Sequence, residues 1–283
     1  ELMHRYNGWC FVDFACSAPY IDIDMHPEDP LEKLDAIFFS PHKFLGGPGS
    51  TGILIFNRSL YDSHFSPDQP GGGTVKWTNP WGEHSFYEDV ELREDGGTPP
   101  FMQTIKAALA IKLKEEIGTK RIAIREKEIT KLVFSRLKLI PNLHLLAENI
   151  EERLPVVSFY IDGMHYNLGV RLLNDRFGIQ VRGGCSCAGT YGHYLLNVSK
   201  KKSRKITQMI EHHDLSEKPG WLRMSLHPLM TDEEIEFILS SIEELSINHN
   251  IWADDYNYDP HENNFVHTSK KKKKKKIVDS WFE

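Results

Sequence analysis

The stretch Ser40-Pro-His-Lys-Phe-Leu-Gly-Gly-Pro-Gly-Ser-Thr-Gly52 places a lysine just after a short apolar run and before a glycine-rich turn. A lysine amine in an apolar setting gives up its proton more readily, and an uncharged amine can form an imine with a carbonyl. Ser40 and His42 could hold a phosphate beside Lys43, and the glycines let backbone approach closely. The other reading of Lys43 is a snorkelling charge at a domain edge. Spacing alone does not separate the two.

Three further groups have residue types suited to chemistry. Asp13 ends the apolar run Trp9-Cys-Phe-Val-Asp-Phe14, where a carboxylate could meet a ligand or merely cap the next turn. Arg223, in Trp221-Leu-Arg-Met-Ser-Leu226, offers a planar fork that matches a carboxylate, or is an exposed strand charge. Arg182-Gly-Gly-Cys-Ser-Cys-Ala188 carries two thiols on a flexible loop, with Arg182 near enough in sequence to favour a thiolate. Those thiols read as a sulfur nucleophile, as inert loop cysteines, or as half a metal site. The metal reading is poor, because no second Cys or His pair has matching spacing.

Buried strands must hold the first of these groups. Short apolar runs at 9–14, 35–40 and 52–56 read as such strands, each bounded by Gly, Pro or polar residues. Residues 62–100, rich in Gly, Pro, Trp and Asp, read as one long functional loop. A helix is expected over 101–117 with Gly118 as its cap, and a charged helix over 121–139 before Pro141. Strands follow at 143–146 and 156–161, then a helix over 166–177 closed by Gly178, and strands at 179–182 and 221–226. Thr231-Asp-Glu-Glu234 has the capping-box form and opens a helix through Leu245. The pattern predicts an α/β chain of three parts: 1–118, a small α+β unit at 119–249, and a polar tail at 250–283 that contains the run Lys270–Lys276.

Composition narrows the function classes. A chain of 283 residues, 40% of them hydrophobic, has enough apolar material for one large or two ordinary domains. Its formal charge is −6 even with seven lysines in the tail, so the rest is more acidic still and would repel phosphate backbones. Nucleic acid is therefore not expected as a partner, and the lysine run reads as a solvated tail. No apolar stretch is long enough to span a membrane, no secretory signal is visible, and four cysteines are too few for a disulfide scaffold. These features predict a soluble cytoplasmic protein.

Taken together and in order, the motifs resemble the class V aminotransferase and cysteine desulfurase family, including selenocysteine lyase-like members, of fold-type I pyridoxal-phosphate enzymes. The resemblance covers most of residues 9–247. It implies that Asp13 pairs with the pyridine nitrogen of pyridoxal 5'-phosphate, that Ser40 and His42 contact its phosphate, and that Lys43 forms its Schiff base. Gly96-Gly-Thr-Pro99 is similar to the turn whose threonine, here Thr98, reaches the phosphate of a neighbouring subunit, so a homodimer with shared sites is implied. Residues 182–188 resemble the loop that carries the catalytic cysteine, with Cys187 rather than Cys185 in register. Arg182 and Arg223 are then the substrate-binding arginines. The implied activity is removal of sulfur or selenium from an amino-acid substrate, with a sulfur-acceptor protein as a possible partner. The alternatives are a class V aminotransferase or lyase without the cysteine step, or a non-catalytic fragment.

The chain departs from that family's pattern in three places. Cys16 stands where Gln or His is usual, and residues 190–220 are inserted between the cysteine loop and the arginine strand. Three strands are too few for a wide doubly wound sheet, so an incomplete large-domain sheet and a C-terminal portion of a longer polypeptide are expected.

Overall fold

A computed structural model describes residues 1–269; the run Lys270–Lys276 lies outside the described residues. The chain divides into two compact units, Glu1–Ala123 and Ile124–Glu283.

The first unit opens with α1 (Leu2–Arg5) and a three-stranded sheet of β1 (Phe11–Asp13), β2 (Ala36–Phe39) and β3 (Ile53–Phe56). β1 and β2 are parallel, with Asp13 opposite Phe38, and β3 runs antiparallel to β2. The buried Asp35 carboxylate fixes the start of this pairing, accepting from the Cys10 backbone N–H at 2.8 Å and meeting the His4 ring at 2.7 Å. Directly after β2 comes a 3-10 turn, Pro41–Lys43, then Phe44, which is buried with Ala18 and Ala110. Phe39 and Phe44 pack ring to ring at 5.8 Å, so the residues between them are pinned at both ends.

Residues 62–100 are not one loop. They contain the hairpin β4 (Val75–Thr78) and β5 (His84–Phe86), followed by α2 (Val90–Glu94). The strands are only four and three residues long, too short for the alternation Val-Lys-Trp-Thr to stand out; the Asn79 side chain, accepting from Trp81 N and Glu83 N, makes their turn. α3 (Phe101–Ile117) ends at Gly118 in a positive-φ conformation, as a glycine cap should. α4 (Thr119–Leu137) follows at once, and the division between the units falls inside it.

The second unit is built on an antiparallel sheet ordered β6 (Leu143–Leu145), β7 (Val156–Ile161), β9 (Trp221–Ser225), β8 (Arg182–Gly184). α5 (Tyr166–Phe177) lies between β7 and β8 in sequence. Between β8 and β9 come α6 (Gly189–Leu195) and α7 (Lys200–Glu211). α8 (Asp232–Ala253) starts on the expected capping box, with Thr231 and Glu234 bonded reciprocally. Its Ile235, Ile242 and Leu245 are fully buried against Leu172, Leu173 and Leu222, each burial contributing about 1.5–3 kcal/mol.

Two expectations need correction. The strand expected over 179–182 is displaced to 182–184, because Gly183 and Gly184 pair with Leu222 and Trp221 while Ile179 and Val181 pack on the core. The polar tail does not begin at 250. α8 continues to Ala253, and β10 (Tyr256–Asp259) pairs antiparallel with β11 (Asn264–His267), burying Tyr256 in the core. The alternation Tyr-Asn-Tyr-Asp is a one-face-apolar strand pattern, and the Asn- and His-rich composition masks it.

Candidate active site

In the first unit, the parallel arrangement puts the carboxyl ends of β1 and β2 on one edge, the usual place for a ligand in a parallel sheet. Asp13 is the last residue of β1, and Ser40, His42 and Lys43 leave the end of β2. Asp13 Oδ1 accepts from Ala15 N at 2.8 Å, and Oδ2 has no hydrogen bond among the described residues. His42 and Lys43 are exposed, with no polar partner for either side chain among the described residues. The burial expected around Lys43 is absent: α3 packs beside the turn, with Ala110 in the Phe44 cluster, and leaves the His42 and Lys43 side chains exposed. Gly47 secures the turn. A Cβ there would sit 1.8 Å from Pro41 O, so only glycine lets the chain fold back under the residues that carry Lys43.

Thr98 is exposed on a turn held by a second glycine contact. Gly97 N donates to Gly72 O at 2.7 Å, and a Cβ on Gly96 would meet Gln69 O at 3.0 Å. Pro100 occupies the N-cap position of α3 and no side chain caps it, so Thr98 is not spent as its cap.

In the second unit the register across β8 and β9 sets Arg182 directly opposite Arg223. Like charges directly opposite are unfavourable in a sheet. Neither guanidinium has an ion-pair partner among the described residues, and Arg223 Nε is buried without an acceptor. Arg182 Nη2 instead donates to Cys187 Sγ at 2.9 Å. Cys187 is exposed, and both it and Ser186 have positive φ, 65° and 50°. Such left-handed non-glycine residues cost about 1–3 kcal/mol each and collect at functional loops.

Cys185 behaves differently. Its Sγ donates to Pro219 O at 3.0 Å, and burial pushes its thiol pKa up, with Lys218 opposing weakly. One thiol is a half-buried clasp and the other is presented to solvent beside a guanidinium.

Tyr166 is a supporting residue that sequence reasoning missed. Its ring lies against Gly183 and Gly220, where a Cβ would come within 3.0 and 2.6 Å of it. Its hydroxyl accepts from Asn263 Nδ2 at 2.7 Å. The available signal was a pair of glycines, Gly183 on β8 and Gly220 just before β9, which leave room for a large neighbour.

The aminotransferase class-V family model matches residues 1–238, so the chain belongs to the aminotransferase class-V family. A probable cysteine desulfurase of Halobacterium salinarum is 26% identical over 86% of this chain and 52% of its own length. One from Pyrococcus abyssi is 30% identical over 86% and 54%. The apo structure of a cysteine desulfurase from Thermococcus onnurineus superposes with a TM-score of 0.67 at 27% identity, covering 87% of this chain and 54% of that one. The fold is therefore that of the fold-type I pyridoxal-phosphate enzymes, with an incomplete large-domain sheet and a small α+β domain. The chain spans about half the length of the curated relatives it matches.

Proposed function

We propose that this chain carries part of the machinery of a pyridoxal-phosphate enzyme that removes sulfur from cysteine. The donor set of the first unit suits that cofactor: a carboxylate, a hydroxyl, an imidazole and an amine at one sheet edge, all without competing ion pairs among the described residues. When bound, the cofactor supplies an electron sink. Lys43 would hold it through its amine and then move the proton at the substrate Cα; Asp13 would keep the ring nitrogen protonated; Ser40 and His42 would bind its phosphate.

The Arg182–Cys187–Arg223 cluster carries the reading. Two arginines opposite one another in the sheet, neither with a carboxylate partner among the described residues, would form a site for one, and the substrate carboxylate suits a guanidinium fork. Cys187 then takes the substrate sulfur. The carbon–sulfur bond breaks, the sulfur stays on Cys187 as a persulfide, and the carbon skeleton leaves as alanine. The four free cysteines suit a reducing compartment, the cytoplasm, and no described helix is long and apolar enough to cross a membrane.

Thr98, exposed on its braced turn, would complete the phosphate site of a second copy, making a homodimer the active unit. The domain division proposed is 1–118 and 119–249, with the hairpin as an addition to the second.

The test is a pair of substitutions in the cofactor-loaded protein. Cys187→Ala should abolish alanine release from cysteine while the cofactor absorption band remains, and Cys185→Ala should retain most turnover. Borohydride reduction should leave the pyridoxyl group on Lys43. Amine transfer in place of sulfur release, or equal loss from both cysteine variants, would overturn the proposal.

A further inference from the structure

The segment between β8 and β9 folds as a helical hairpin with an uneven charge. Lys200, Lys201, Lys202, Arg204 and Lys205 fill the first two turns of α7; all five are exposed, and none forms an ion pair among the described residues. The first turn of α7 contains no acid, and Ser199 already caps it by accepting from Lys202 N. Five cations thus gather at the positive end of the helix dipole, the least favourable place on a helix for them. Lys200 with Arg204 and Lys201 with Lys205 are also like-charged neighbours four apart, which lowers helix stability further. Glu217 lines a groove together with these side chains, and it forms no ion pair with any of the five among the described residues.

The neighbouring helix adds the second observation. Tyr191 and Tyr194 on α6 are 53% and 77% exposed and stack on one another at 6.2 Å. α6 and α7 are braced together: His193 Nε2 meets Ser203 Oγ at 2.9 Å, and Val198 N donates to His193 O. Exposed tyrosines and an arginine on braced neighbouring helices are residue types enriched in protein-binding surfaces, and the lysines add positive charge. The groove, of about 710 Å³ and lined by Lys201, Arg204, Lys205, Ile206 and Glu217, runs along α7.

We propose that the α6–α7 hairpin is a docking surface for an acidic segment of a partner polypeptide. The charge of the whole chain favours a short acidic segment over a long polyanion, because a polyanion extends past the patch over net negative surface while a short segment stays within it and is repelled less. α6 begins two residues after Cys187, so a partner held there stands next to the thiol loop. The docking rests on the charge arrangement alone. Only its link to Cys187 rests on the sulfur-removal reading.

The experiment is fluorescence anisotropy with a short labelled peptide of alternating Glu and Ala at low salt, using the full chain. Lys201→Glu/Arg204→Glu should weaken binding about tenfold, roughly 1.4 kcal/mol. The equally charged change Lys127→Glu/Lys131→Glu on α4 should leave it within about twofold. Circular dichroism verifies folding, and Lys201→Gln/Arg204→Gln replaces the reversal if that variant unfolds. Equal weakening in both pairs, or no weakening in either because Lys270–Lys276 holds the peptide, overturns the proposal. So does tighter binding of a single-stranded oligonucleotide of equal charge. The measurement needs neither cofactor nor turnover, so Cys187→Ala should bind the peptide normally even if the sulfur chemistry proves wrong.

Discussion

Glu126 on α4 is 6% exposed, its Oε1 lacks a hydrogen-bond partner, and burial raises its pKa to about 7. The unfolded chain titrates this group near 4.5, so across that window the folded state keeps a proton that the unfolded state has lost. Stability must fall as pH rises from about 4.5 to about 7 and stay lower above, by up to about 3 kcal/mol. Glu126→Gln should flatten that slope, gaining about 1–3 kcal/mol at pH 8 and little at pH 4.5, as urea denaturation at the two pH values would show. Gly47→Ala tests the lysine turn: with Pro41 O in the way, the turn must open, and both melting temperature and Lys43 labelling by the cofactor should drop. At this scale Asp13, Lys43 and Cys187 could be picked out as candidates because motifs are strings of residue types. What surrounds them was not legible. The burial imagined for Lys43 is missing, and the contrast between a clasped Cys185 and a presented Cys187 depends on Pro219, thirty-four residues away.

Among the elements, β8 and β9 depend on a hairpin that lies beyond the family-matched residues. Asn263 Nδ2 holds the Tyr166 hydroxyl, the Asn167 side chain bonds Asn263 O, and the Tyr166 ring fills the space above Gly183 and Gly220. Asn263→Ala should cost about 1 kcal/mol and raise the alkylation rate of Cys185 relative to Cys187, since the clasp to Pro219 loosens with the glycine strands. Tyr166→Phe keeps the ring and should show a smaller version of both effects; peptide mapping after iodoacetamide treatment measures them. Helices and strands with strong apolar period were readable to the residue, as in α3, β7 and α5. β4, β5, β10 and β11 were not, because at three or four residues each an alternation such as Val-Lys-Trp-Thr or Tyr-Asn-Tyr-Asp is too short to stand out from polar surroundings, and a partner strand has to specify it.

For the molecule as a whole, the first unit leaves a large amount of apolar surface open. Phe11, Phe38 and Leu54 share one sheet face at 59%, 40% and 61% exposure, and α3 exposes Phe101, Met102, Ile105 and Leu109 while burying only Ala107 and Ala110. Patches of this kind mark surfaces that other polypeptide covers. The chain on its own should therefore self-associate with rising concentration, and Leu54→Lys with Leu109→Lys should reduce that association in analytical ultracentrifugation. A practical consequence follows from α8. The family match stops at residue 238, two turns into this helix, and a recombinant boundary drawn there would delete Leu239, Ile242, Leu245 and Tyr256 from the buried core. Expression vectors that end the second domain at 238 should yield insoluble product, and those that end after Ser269 a protease-resistant one.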